Sequence, residues 1–176
     1  ILLKSIDEKI KLEKQKEDAI EKERIRLVNI NNLGGWEVYN SKEYSHIHTK
    51  ELIRGSFSNT ATEDSKLDVH FMVNNYNAIE IKLFEYARNN PVKTNHYVEY
   101  EGVISISGSS ESIDIKGTNY LESVGLDKSS STKFHNLLKK GGKIMVLLWE
   151  KERFTSSYSF YVDGFCYENA YGKLKQ

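Results

Sequence analysis

Leu67, Val69, Phe71 and Val73 stand at every second position of one stretch, and Ile79, Ile81 and Leu83 do the same after the run Asn74-Asn75-Tyr76-Asn77. A period of two places all these side chains on one face of a sheet, and an Asn-rich turn between two such runs predicts an antiparallel hairpin. A hairpin with one wholly apolar face needs further strands to cover it. The remaining chain supplies them.

Trp36-Glu37-Val38-Tyr39 reads as a first strand anchored by its Trp, and residues 51–57 as a short second one. Residues 97–107, with Tyr100, Val103, Ile104 and Ile106, form another strand, where Gly102 is expected to mark a bulge. Gly108-Ser109-Ser110 then turns the chain into residues 112–116, which makes a second hairpin. Ser129 to Thr132 offer N-caps for a helix with Phe134, Leu137 and Leu138 on one face. Gly141-Gly142 is its stop, preceded by Lys139-Lys140, where cations suit the helix dipole.

Residues 144–149, Ile-Met-Val-Leu-Leu-Trp, form the most apolar run in the chain. A strand apolar on both faces is expected to be central and covered on both sides, with Trp149 and Phe134 in the core. Tyr158, Phe160 and Val162 alternate back after the polar connection at residues 150–153, and a short terminal helix over residues 165–171 closes the chain. The fold class expected is mainly β: an antiparallel β-sandwich or partly closed barrel of about seven or eight strands, with one or two short helices and a long N-terminal α-helix.

That N-terminal helix is read from residues 1–29, which contain no Gly or Pro and carry charges of both signs throughout. Asp7 with Lys11 and Asp18 with Lys22 have the i,i+4 spacing of helix ion pairs. A heptad seam through Leu3, Ile6, Ile10, Glu13, Glu17, Ile20, Arg24 and Leu27 has three charged members. The helix therefore reads as a stalk or as a weak coiled coil through which the chain self-associates. Gly34-Gly35 marks the boundary, so two parts are expected: 1–30, the charged helix, and 35–176, the β domain.

Twenty-five basic and twenty-five acidic residues leave no net charge, which removes any general attraction to nucleic acid. The single Cys166 excludes an internal disulfide, and its neighbours Phe165 and Tyr167 suggest a buried, inert thiol. No run is long and apolar enough for a membrane-spanning helix. The chain begins at Ile1 without an initiating Met, compatible with a signal peptide, a lipid anchor or a membrane helix upstream.

His46 and His48, two apart on a strand, point the same way and are the pair that two-imidazole chemistry would need, with His70, His96 and His135 as further imidazoles. No Cys or Glu at ligand spacing accompanies them, so no metal or other cofactor is assigned. Glu63 and Asp64 lie in the polar loop at residues 58–65, where binding residues often gather. Tyr97 and Tyr100, with Tyr158 and Tyr161, are strand tyrosines, some of which must face outward; exposed Tyr is enriched at recognition surfaces. There is no nucleophile elbow, phosphate loop, dinucleotide fingerprint or EF-hand spacing, and no catalytic residue is assigned. The binding candidates are therefore His46, His48, Glu63, Asp64, Tyr97 and Tyr100.

The C-terminal third, with Phe134, Leu137-Leu138, Gly141 and Lys143-Ile144-Met145-Val146, then Tyr158, Phe160, Val162, Gly164-Phe165 and Ala170, resembles the invasion-associated locus B family and the TagO/VasI-like proteins linked to type VI secretion. The resemblance spans about 45 residues, with Trp36 in addition, and the extra cysteines of those families are missing here. It implies a small periplasmic β-sandwich and carries over no site residue. Together these readings lead to a non-enzymatic binding module of the cell envelope on a helical stalk, with a protein or envelope component as partner. A metal-dependent or other hydrolase, an oligomeric unit of a phage or secretion machinery, and a cytoplasmic location are the competing expectations.

Overall fold

The computed structural model describes residues 2–92, 94–152 and 156–174, with the side chains of residues 2–10, 27, 28 and 87 outside the description. It divides into two compact units that meet between Asn32 and Leu33. The first holds helix α1, Leu2–Asn31. Its described ion pairs are Arg24–Glu21 and Arg26–Glu23, both at 2.7 Å and spaced i,i+3; the expected Asp18–Lys22 pair is not among them. Leu3, Ile6, Ile10 and Leu27 of the heptad seam, and Asp7 of the expected Asp7–Lys11 pair, lie outside the described side chains.

The second unit is a ten-stranded antiparallel sheet. Its strands are β1 (Trp36–Tyr39), β2 (His46–Thr49), β3 (Ile53–Ser58), β4 (Ser65–Asn74), β5 (Ile79–Phe84), β6 (Glu99–Ile106), β7 (Ile113–Tyr120), β8 (Ser123–Leu126), β9 (Lys143–Glu150) and β10 (Ser157–Asp163). A 3-10 turn at Tyr86–Arg88 follows β5, helix α2 (Lys128–Lys139) follows β8, and helix α3 (Tyr167–Gly172) follows β10. Pairing runs β4-β3-β10-β9-β6-β7-β8-β5 and returns to β4, so these eight strands close on themselves. The domain is therefore a closed barrel, which leaves the barrel's own strands without free edges; a two-sheet sandwich is not what forms. The hairpin β1–β2 lies outside the ring, attached where β2 pairs residues 72–74 of β4 beyond the end of β3.

The predicted hairpins β4–β5, β6–β7 and β9–β10 are all present. Inward positions carry Phe57, Leu67, Val69, Phe71, Val73, Ile79, Ile81, Leu83, Ile104, Val146 and Phe160, and the barrel interior is filled by them. Phe134 of α2 is fully buried against Phe71, with ring centroids 5.1 Å apart, so the helix plugs one end. Tyr167 of α3 meets Trp36 edge-on at 5.0 Å, and the Trp36 indole donates to the Asp163 carbonyl.

Several local expectations are corrected. Gly102 marks no bulge, because β6 keeps an unbroken register with both neighbours; a Cβ there would stand 2.4 Å from the Leu147 carbonyl oxygen, so the close approach of β9 is what requires glycine. Helix α2 is capped by Asp127, which accepts from the Ser130 amide at 2.7 Å, and not by the serines expected for the task. Ser130 and Ser131 instead turn into the barrel wall. Their hydroxyls accept from the amides of Lys116 at 2.8 Å and Ile79 at 3.3 Å, and Ser131 donates to the Leu126 carbonyl.

Met145, Leu147 and Trp149 point outward from β9 and are half-buried, so Trp149 is not in the core. An eight-strand barrel is its own second layer; within this domain α2 packs against β7 and α3 against β1 of the outer hairpin. Cys166 is half-buried as well, with φ of 61° at the start of α3. Tyr100 and Tyr158 turn inward, while Tyr97 and Tyr161 are exposed.

Candidate functional site: a tyrosine and histidine face

The outer face of β1, β2, β4, β5 and β8 gathers an unusual set of side chains. Strand alternation turns Ile47 into the core and leaves His46 and His48 on the outside. Pairing of β2 with β4 brings His70 beside them. The rings form a continuous series: Tyr39 and Tyr44 stand 5.1 and 5.2 Å from His46, His46 stands 5.1 Å from His48, and His48 stands 5.4 Å from His70. Glu37 of β1 approaches His48 at 3.5 Å.

These imidazoles are not arranged as a chelate; among the described residues no three His, Cys, Asp or Glu side chains could hold a metal ion together. The Nδ1 atoms of both His46 and His48 are buried without a hydrogen-bond partner. Burial, then the neighbouring His48 and His70, pushes the His46 pKa down. Burial, then His48 and Lys82, does the same to His70. His46 and His70 are therefore biased toward the neutral ring.

Tyr44 links this series to a cleft of about 560 Å³ whose walls include Tyr44, Tyr120 and Leu121, with Asn74 and Glu80 lower down. The Tyr44 hydroxyl reaches the sulfur of Met72 at 3.7 Å. Burial raises the carboxyl pKa of Glu80. Gly125 makes room for the far wall, since a Cβ there would stand 3.1 Å from the Tyr120 Cβ, so the ring leans across β8. Tyr120 pairs with Ser123, leaving Leu121-Glu122 as a two-residue hairpin tip. Leu121 has φ of 51° and is 69% exposed, and Tyr120 is 56% exposed. A bulky residue held in the left-handed region costs about 1–3 kcal/mol, which singles out an apolar side chain presented to solvent under strain.

Of the six residues singled out from sequence, only His46 and His48 belong to this face. Glu63 and Asp64 sit before the other end of β4, in a turn organised by Asn59, whose Oδ1 accepts from the amides of Ala61 and Thr62. They do not converge with the histidines, which lie toward the opposite end of β4. Tyr97 and Tyr100 belong to a separate pocket at the end of the barrel away from α2. Sequence reading missed Tyr44, Glu80, Tyr120 and Leu121. The one available signal was Tyr120-Leu121, an aromatic and an aliphatic residue at a point where the flanking pattern reverses.

Chemically, the face offers flat aromatic surfaces, a row of imidazoles and one carboxyl, that of Glu80, whose pKa burial raises. In comparison with known proteins, no family model matches the chain, and no curated protein or solved structure aligns with it.

Proposed function

We propose that this protein is a non-enzymatic binding module of the cell envelope, with α1 as its stalk, and that it takes a protein partner on the tyrosine and histidine face. The observation that carries the reading is the Tyr120-Leu121 hairpin tip: two exposed apolar side chains, one on a strained backbone, beside a cleft walled by tyrosines. Exposed tyrosines beside a cleft are characteristic anchors of protein interfaces. The envelope setting rests on the resemblance of the C-terminal third to periplasmic families.

A photoreactive residue at position 44 tests this in cells. It is expected to give discrete protein adducts that disappear in Tyr120→Ala and in Leu121→Gly. The glycine variant relieves the backbone strain, so it is expected to lose adducts while gaining stability. Adducts that persist in both variants, or that match those from a photoreactive residue at Tyr161, refute the reading.

Helix α1 favours a second reading, self-association. Leu12, Ile20 and Ile25 are exposed along it, and the described side chains from 11 to 26 are all exposed. Sedimentation of the full chain beside residues 33–176 tests this: a shared monomeric mass excludes it.

A further inference from the structure

The cleft beside the Tyr120-Leu121 tip has one charged residue among those that line it, Glu80. Strand register explains how an acid comes to lie there. Met72 pairs with Glu80, Glu80 with Gly125 and Gly125 with Thr118, so these four share one row across the outer face of β4, β5, β8 and β7. Gly125 brings no side chain to that row, which leaves a gap across the ladder from Glu80. Tyr120 borders the gap on one side, its Cβ 3.1 Å from where a Cβ on Gly125 would stand. Tyr44 stands on the other, with its hydroxyl 3.7 Å from the sulfur of Met72.

Three polar ends meet in this space. Burial, then Glu80, then Tyr120, pushes the Tyr44 phenol pKa up, which requires the carboxyl and the second phenol to lie near the first. Glu80 is half-buried, and burial alone raises its pKa: neither an ion pair nor a hydrogen bond offsets it among the described residues. Lys82, two residues along β5 on the same face, is engaged by Glu122 at 2.8 Å. The cleft therefore holds one unmatched carboxylate between two aromatic walls. Partial burial of a charge without a partner is unfavourable, and a cation seated beside it restores what desolvation removes.

We propose, resting on the protein-binding reading of this face, that the cleft receives an arginine side chain of the partner. Charge complementarity selects a cation, since Glu80 is the charged residue of the lining and carries no counter-ion. The aromatic walls select arginine over lysine: a guanidinium is planar, weakly hydrated and stacks on phenol rings, whereas an ammonium is a strongly hydrated point charge. Two of its N–H groups match the two oxygens of the Glu80 carboxylate, and the others reach the phenol oxygens or water at the open side. The aliphatic stem lies along Leu121 and Ala78. A volume of about 560 Å³ accommodates one such side chain with the backbone that carries it.

The test titrates the isotope-labelled full chain, by NMR, with Nα-acetyl-arginine methylamide, its lysine counterpart and its uncharged citrulline counterpart. Saturable shifts at the amides of Glu80, Tyr120 and Gly125 are expected with the arginine compound, weaker ones with lysine and none with citrulline. Glu80→Gln keeps the shape of the side chain and is expected to weaken arginine binding at least about 10-fold, the range for a hydrogen bond to a charged group. Tyr120→Ala removes one wall and is expected to weaken it about 2- to 10-fold. No response to arginine, equal shifts with citrulline, a response to lysine as strong as to arginine, or undiminished binding by Glu80→Gln overturns the proposal. In cells, adducts from a photoreactive aromatic residue at position 44 are expected to fall in Glu80→Gln. Adducts that survive Glu80→Gln but not Tyr120→Ala overturn the arginine site and leave the protein-binding reading standing; adducts that survive both variants overturn the two together.

Discussion

Replacing His46 with Phe is expected to stabilise the barrel, contrary to the usual effect of changing a packed residue. The His46 ring lies between Tyr39 and Tyr44 on one side and His48 on the other, and its Nδ1 is buried without a partner. An unsatisfied buried polar atom costs about 1–3 kcal/mol, and a phenyl ring keeps the aromatic contacts while removing that atom. Because His46 is only half-buried, the lower end applies: a gain of about 1 kcal/mol at pH 7.5, or about 2–4 °C in Tm for a chain of this size.

The gain should grow in acid. Folding lowers the His46 pKa, so the unfolded chain takes up its proton first as pH falls through about 6.5. Stability contributed by the neutral ring is therefore present above that pH and lost as pH falls through the folded value. The parent loses stability as pH falls through about 6.5, while His46→Phe retains only the losses due to His70 and His135, whose pKa values burial also lowers. Urea unfolding followed by Trp fluorescence reads the β domain and not α1, since Trp36 and Trp149 both lie in that unit. A variant less stable than the parent at pH 7.5, or a difference that does not widen at pH 5, refutes the reasoning.

Glu80 behaves with the opposite sign. Its folded pKa is raised by burial, so stability present below about 4.5 is lost as pH rises, and Glu80→Gln should exceed the parent in Tm at pH 7 with an advantage that shrinks toward pH 4. Gly102→Ala places a methyl against the Leu147 backbone oxygen, where neither strand can yield, and should cost at least about 2 kcal/mol in urea unfolding. A loss under about 0.5 kcal/mol would show that the register is looser than described. Asp127→Ala removes the cap of α2 and should cost about 1 kcal/mol, with Asp127→Asn recovering most of it; calorimetry of both variants checks this.

Strand pairs joined by short turns were legible in the sequence because a period of two is a strong local signal, as with Leu67 to Val73 and Ile79 to Leu83. Closure of the barrel was not. It depends on β3 meeting β10 and β5 meeting β8, contacts between segments far apart in the chain that no local pattern encodes. Strand β8 was missed because Ser123-Val124-Gly125-Leu126 has two large apolar residues and a glycine.

The same limit applies to the site. His46 and His48 were readable as a same-face pair, but Tyr44, Glu80 and Tyr120 come together only through the pairing of β4, β5 and β8. Trp149 misled because an apolar run in a barrel wall looks, in sequence, like a strand buried between two layers; here its outer side chains are only partly covered.

The hydroxyls that α2 turns into the wall give the barrel an unusual coupling. Strand β8 is short and shares only two residue pairs with β5, so this is the narrowest seam in the ring. On its helix side the amides of Ile79 and Lys116 are held by Ser131 and Ser130 rather than by another strand. The seam thus cannot part fully until the first turn of α2 unwinds, which makes helix fraying and wall opening a single cooperative event. Slow hydrogen exchange at Ile79 and Lys116 then gauges whether the strands beneath the tyrosine cleft are closed, although neither amide lies in a regular strand ladder on that side.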